Sequence, residues 1–163
     1  MATQMRIEPA SPAAVLAVAS RMRERDQHEF MATSYARTSD ELAQDMVRRY
    51  AGLPGAICAL DGTDPVAIGA MIEARPNVLT LLFFATNEMP RIAISLTSFI
   101  TKRLFPPQRE AGVHRIECVS IIDHTDAHRW IKILGLKQEA TMPGYGKGGE
   151  TFFQFAWTAP DVR

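Results

Sequence analysis

Asp123, His124, Asp126 and His128 form the densest polar group in the chain. His124 and His128 stand four apart, which puts two imidazoles on one helix face. With Asp123 they are a set that can ligate a divalent ion or relay protons. The glutamate of a His-Glu-x-x-His motif is missing, and the same pattern is also an ordinary helix start, with acids near the positive end of the dipole and histidines on a solvated face. No metal is assigned. A second group, Asp26, His28 and Glu29, falls in the connection between two helical segments. There Glu29 or His28 can take up a proton as a base, directly or through water, and the plainer reading is a solvated helix end. The run Gly144-Tyr145-Gly146-Lys147-Gly148-Gly149 lacks the Gly-x-x-x-x-Gly-Lys-Ser/Thr order of a phosphate loop and joins two strands, so it reads as a hairpin turn. Cys58 and Cys118 sit inside apolar runs and in no nucleophile motif. They read as small buried hydrophobes of a reducing compartment.

These groups need elements to position them. Ser11 caps a helix that has Pro12 in its first turn and runs to about Arg25, with Val15, Leu16, Val18, Ala19 and Met22 at helical spacing. A capping box from Thr38 to Glu41 opens a second helix through Tyr50, and Gly52 and Pro54 stop it. A short strand over residues 5–8 precedes both helices. Three further strands follow, over residues 56–60, 66–74 and 78–85, separated by the turns Asp61-Gly62-Thr63-Asp64-Pro65 and Arg75-Pro76-Asn77. A helix over residues 90–104 ends at Pro106-Pro107. Residues 114–122 alternate as a strand, residues 123–134 form a helix with Gly135 as its left-handed cap, and two strands close the chain, the last over residues 151–158. Phe83 and Phe84 in the fourth strand must point to opposite faces.

The order is β-α-α-β-β-β-α-β-α-β-β, an α/β (α+β) pattern in one domain spanning residues 1–163. The chain has 18 Lys+Arg against 18 Asp+Glu, so it lacks the basic field that phosphate backbones select, and nucleic acid is not expected. No apolar run approaches the roughly 20 residues of a membrane span, and the start carries no apolar signal region. The location expected is cytoplasmic. If the aromatic last strand is an exposed edge, it predicts pairing with a second copy.

This order, with His114-Arg115-Ile116-Glu117, then Ala127-His128-Arg129-Trp130-Ile131-Lys132-Ile133-Leu134-Gly135-Leu136, then Lys137-Gln138-Glu139-Ala140, resembles the GCN5-related N-acetyltransferase (GNAT) superfamily. The match is to its strand, helix, Leu-Gly-Phe and strand segment. The first half resembles the acetyltransferase-like proteins of short-tailed bacteriophages, including the group related to an internal virion protein. That likeness rests on Met22-Arg23-Glu24-Arg25-Asp26-Gln27-His28-Glu29, the hairpin from Asp61-Gly62 to Gly69, and Ala85-Thr86-Asn87-Glu88.

The resemblance implies a mixed, mainly antiparallel sheet flanked by helices, and transfer of an acetyl group from acetyl-CoA to an amine by direct attack. Backbone groups at Ala85, Thr86 and Asn87 would polarise the thioester carbonyl. Arg91 and the helix start at Ile92 would meet the pyrophosphate, and Glu29 or His124 would serve as base. The family's Gln/Arg-x-x-Gly-x-Gly/Ala loop falls here on Thr86-Asn87-Glu88-Met89-Pro90-Arg91-Ile92-Ala93, which has no glycine. Pro90 removes a donor there, and Glu88 adds a negative charge that offsets Arg91. Ile131 stands where the family often has a general-acid tyrosine. These departures favour a rival reading, a non-catalytic virion or assembly protein on the same scaffold, placed in a host cytoplasm or a virion.

Overall fold

The computed structural model describes residues 4–161. Its elements are β1 (Met5–Pro9), α1 (Pro12–Ala19), α2 (Glu24–Ala32), α3 (Ser39–Tyr50), β2 (Ala56–Asp61), β3 (Asp64–Arg75) and β4 (Val78–Ala85). Then come α4 (Ala93–Phe99), α5 (Phe105–Glu110), β5 (Arg115–Ile121), α6 (Thr125–Ile133), β6 (Lys137–Met142) and β7 (Phe152–Thr158). The seven strands form one sheet in the order β1-β2-β3-β4-β5-β7-β6. β1–β2, β2–β3, β5–β7 and β6–β7 pair antiparallel, and β4–β5 pair parallel. This is the mixed, mainly antiparallel sheet that the resemblance implies. The chain divides into two compact units, one ending at Met71 and resuming over Leu82–Leu96, the other made of Ile72–Leu81 and the residues from Thr97 on.

In the first unit, the Ser11 hydroxyl accepts the Ala14 N–H at 3.1 Å and opens α1, which packs on α3 and buries Val15, Val18 and Ala19. Thr38 caps α3 in the same way through the Glu41 N–H. The reciprocal bond of the capping box goes one residue further back, from the Arg37 N–H to the Glu41 carboxylate at 2.7 Å. α1 does not run on to Arg25. Met22 bridges to Thr86, the Arg23 N–H donates to the Ala85 carbonyl at 2.8 Å, and a separate helix, α2, begins at Glu24. Asp26, His28 and Glu29 therefore belong to a helix and not to a connection. Two long-range backbone contacts at the end of β4 break the helical run, and local periodicity carries no sign of them. Gly55 is required where it stands: its φ is +86°, and a Cβ there would lie 2.6 Å from the Met71 carbonyl oxygen.

In the second unit, β7 lies between β5 and β6, with Phe152 and Phe155 buried. The last strand is therefore not an edge and has no free ladder for a second copy; the edges of the sheet are β1 and β6. Pro106-Pro107 does not end the helical stretch. A π turn over Ile100–Leu104 precedes the two prolines, with the Phe105 N–H bonded five residues back to Ile100, and Pro106 falls in the first turn of α5. A proline there lacks only a donor that the first turn leaves unpaired in any case. Gly135 has φ +101° and caps α6 as predicted. The Trp130 indole N–H bonds the Thr97 hydroxyl at 2.8 Å.

Candidate functional site

The site is best approached along β4. Its parallel ladder registers Val78, Leu79 and Thr80 with Arg115, Ile116 and Glu117 and goes no further, while the strand itself continues to Ala85. Within that continuation, the alternation expected of Phe83 and Phe84 is observed. Phe84 is fully buried, edge-on to Phe30 at 5.5 Å and tilted against Tyr50 at 6.3 Å. Phe83 is half-buried, with the Arg23 guanidinium 6.0 Å from its ring centre.

Asp26 fastens α2 to the end of β4. Its side chain is 2% exposed, and it accepts the Ala85 N–H at 2.9 Å, Arg23 Nε at 2.9 Å and Arg23 Nη2 at 3.0 Å. A carboxylate is held in the interior only with such charge-assisted partners. Glu29 lies three residues further on the same face of α2, half-buried, and the next residue is the Phe30 that packs on Phe84. The structure thus brings Glu29 onto the helix face anchored at β4, whereas His28 is exposed. The sequence alone groups Asp26 with His28 and Glu29 in a connection between helices. Its role as an anchor depends on Ala85, 59 positions away, and no local signal marks it.

The donors expected at Ala85 and Thr86 are already committed. The Ala85 N–H goes to Asp26, and the Thr86 N–H goes to the Val66 carbonyl at 2.8 Å in continuation of the β3 side. Neither is available to polarise a thioester carbonyl, which corrects the expectation for both residues. Asn87 is exposed at the turn. Beyond it, the Glu88 N–H bonds Thr86 Oγ1 at 3.3 Å and the Met89 N–H bonds the Thr86 carbonyl at 3.1 Å. A 3-10 turn over Met89–Arg91 then pairs the Arg91 N–H with Glu88 and the Ile92 N–H with Met89. The Arg91 guanidinium lies 2.8 Å from Glu88 and 3.7 Å from Asp61. Ile92 is fully buried and serves packing. A diphosphate needs open N–H groups and net positive charge. The residues at this turn offer at most the single N–H of Asn87 and no net positive charge, so they do not fit the pyrophosphate of acetyl-CoA.

His124 and His128 belong to the second unit. His128 Nε2 lies 2.9 Å from the Ile121 carbonyl and donates to it, and the ring packs on Phe153 and Phe155 at 5.3 Å each. Burial pushes its pKa down, partly opposed by that hydrogen bond. His124 is 3% exposed just before α6, and its carbonyl accepts the His128 N–H. Both imidazoles are thus buried, not on a solvated face. Among the described residues, no three His, Cys, Asp or Glu side chains group closely enough to hold a metal ion. In the glycine-rich turn, Glu150 accepts the Gly148 N–H at 2.8 Å, so an acid already occupies the place of an anion. Burial, with Glu8 and Asp64 nearby, pushes the Cys58 thiol up to about 11, which keeps it protonated. Of the tyrosines, Tyr35 is 98% exposed and Tyr145 packs on Phe152. Tyr50 alone lies against β4, its pKa raised chiefly by burial. Among the described residues, no helix is long and apolar enough to cross a membrane.

Solved acetyltransferases share this architecture. Ard1 from Thermoplasma volcanium superposes with a TM-score of 0.69 at 15% identity, over 96% of this chain and 99% of that one. The ribosomal-protein-S18-alanine N-acetyltransferase from Escherichia coli gives 0.65 at 11% identity, over 98% and 99%. A GNAT-family acetyltransferase from Bacillus anthracis gives 0.66 at 14%, over 97% and 96%. No protein-family model matches the sequence, and no curated protein does. At these identities the likeness establishes the GNAT fold, and activity has to be argued from the site.

Proposed function

We propose that this chain is an N-acyltransferase that moves an acyl group from a thioester to an amine by direct attack. One observation carries the reading: in a fold shared end to end with acetyltransferases, β4 continues to Ala85 after its ladder with β5 stops at Thr80. Glu29, held on α2 by the Asp26 and Phe30 anchors, is the base that takes the amine proton. The amine nitrogen then bonds to the thioester carbonyl carbon, the C–S bond breaks, and the thiolate takes up a proton. No covalent enzyme intermediate is invoked, since Cys58 is held as a thiol.

The experiment is transfer from S-acetyl thioesters to a panel of amines, followed by thiol release. Glu29→Gln should lower kcat/KM by roughly a hundredfold or more, the scale of general-base catalysis, with the fold unchanged by circular dichroism. Undiminished turnover in the variant would remove Glu29. No turnover by the unmodified chain against the whole panel would favour a second reading, a non-catalytic virion or assembly protein on this scaffold, which the closed turn after β4 supports.

A further inference from the structure

The turn after β4 bears on which thioester is read, and the inference from it rests on the acyltransferase reading above. We infer that the donor is recognised through its pantetheine-thioester arm and not through a nucleotide diphosphate, so that this chain takes nucleotide-free acyl-pantetheine thioesters as well as it takes acyl-CoA.

Three independent features of residues 86–92 converge on this. The first is the donor inventory. Of the seven residues, Thr86, Glu88, Met89, Arg91 and Ile92 have their N–H groups bonded within the protein and Pro90 has none, so at most the single N–H of Asn87 is open. An anion seated at a helix start needs those groups open. The second is charge. Arg91 is the one cation of the segment, and it faces two carboxylates, Glu88 and Asp61. The local sum is one negative charge, and seating a diphosphate would require Arg91 to leave both partners. The third is shape. The segment contains no glycine, so every residue keeps a side chain between the backbone and an approaching anion. The helix that follows, α4, has only seven residues. The nucleotide end of CoA therefore gains nothing here from the protein, and its charge is met by like charge.

Calorimetric titration with acetyl-CoA and with S-acetylpantetheine, in one buffer, tests this without relying on turnover. The expected result is dissociation constants within about tenfold of each other, a difference of about 1.4 kcal/mol. A more than tenfold advantage for acetyl-CoA would overturn the inference and leave acyl transfer standing. Binding of neither thioester would overturn both. Opening the turn provides the reverse test. Glu88→Gly combined with Pro90→Gly should tighten acetyl-CoA by about tenfold and leave S-acetylpantetheine unchanged, since it restores a donor and removes a carboxylate. Glu88→Gln, which keeps the backbone as it is, is the companion variant if the double change loosens the fold; it should shift acetyl-CoA in the same direction by a smaller factor. A folded variant set that gains nothing for acetyl-CoA counts against the inference.

Discussion

Replacing Asp26 should destabilise the protein far more than an acid near a helix start ordinarily would. In Asp26→Ala the Ala85 N–H, fully buried, loses its acceptor, which costs about 1–3 kcal/mol. Arg23 also loses its carboxylate partner. Its side chain is 26% exposed, so water recovers part of that interaction and the full penalty of breaking a buried pair does not apply. Together these give about 3 kcal/mol. Asp26→Asn keeps a side-chain oxygen for Ala85 and loses only the charge, so about 1–2 kcal/mol is expected. Urea denaturation followed by circular dichroism measures both, with the m-value unchanged if the native state is otherwise intact. Amide exchange makes the effect local: the Ala85 N–H should exchange much faster in Asp26→Ala, while the amides of β7 keep their protection relative to global stability. An Asp26→Ala variant within about 0.5 kcal/mol of the parent, or with Ala85 exchange unchanged, would refute the anchoring argument.

His128 makes stability depend on pH. Its folded pKa lies below the ordinary 6.5 because burial disfavours the imidazolium, so the unfolded chain binds the proton more readily. The contribution is complete above about pH 6.5 and is lost as pH falls below that value toward the folded pKa. Thermal melts should show a Tm decreasing from pH 7 to pH 5.5. His128→Gln, which can still donate to Ile121, should flatten that slope, and equal slopes would remove His128 as the cause. Cys58, with its thiol pushed up to about 11, should resist alkylation at pH 8 in the folded protein and react once urea unfolds it. Peptide mapping separates it from Cys118, and rapid native labelling of Cys58 would contradict its burial.

The elements were legible wherever their cause is local. Ser11 and Thr38 as caps, Gly135 as a left-handed stop and the alternation of Phe83 and Phe84 all follow from a few neighbouring residues, and the structure has each of them. Expectations failed where the cause is distant. The helix through residues 12–25 breaks because Met22 and Arg23 are taken by Thr86 and Ala85. The last strand is interior because β6, though earlier in the chain, turns back to its outer side. Pro106-Pro107 reads locally as a stop, and the π turn before it lets a new helix start there instead. At the candidate site, the sequence drew attention to Glu29 and to the turn after β4. It could not show that the N–H groups of Ala85 and Thr86 already have acceptors, because those acceptors are Asp26 and Val66, far away along the chain.

The bonds that close the turn against an anion are also structural bonds. Thr86 donates its N–H to the Val66 carbonyl, accepts the Glu88 N–H on its hydroxyl and accepts the Met89 N–H on its carbonyl, so one residue ties the β3 side to the start of the turn. Arg91 reaches back to Asp61, the last residue of β2, whose own backbone pairs with Met5 and Asp64. Asp26 does the equivalent for α2 at the preceding residue, Ala85. Two consecutive residues, Ala85 and Thr86, are thus fixed by partners from different elements, and their backbone cannot turn toward a ligand without releasing several bonds at once. A binding site built on unpaired donors holds polar groups open at a cost in stability. Here those donors are used to hold the fold, and the proposed acyl transfer would draw its selectivity for a thioester from the part of β4 before Ala85 and from α2, where Glu29 stands.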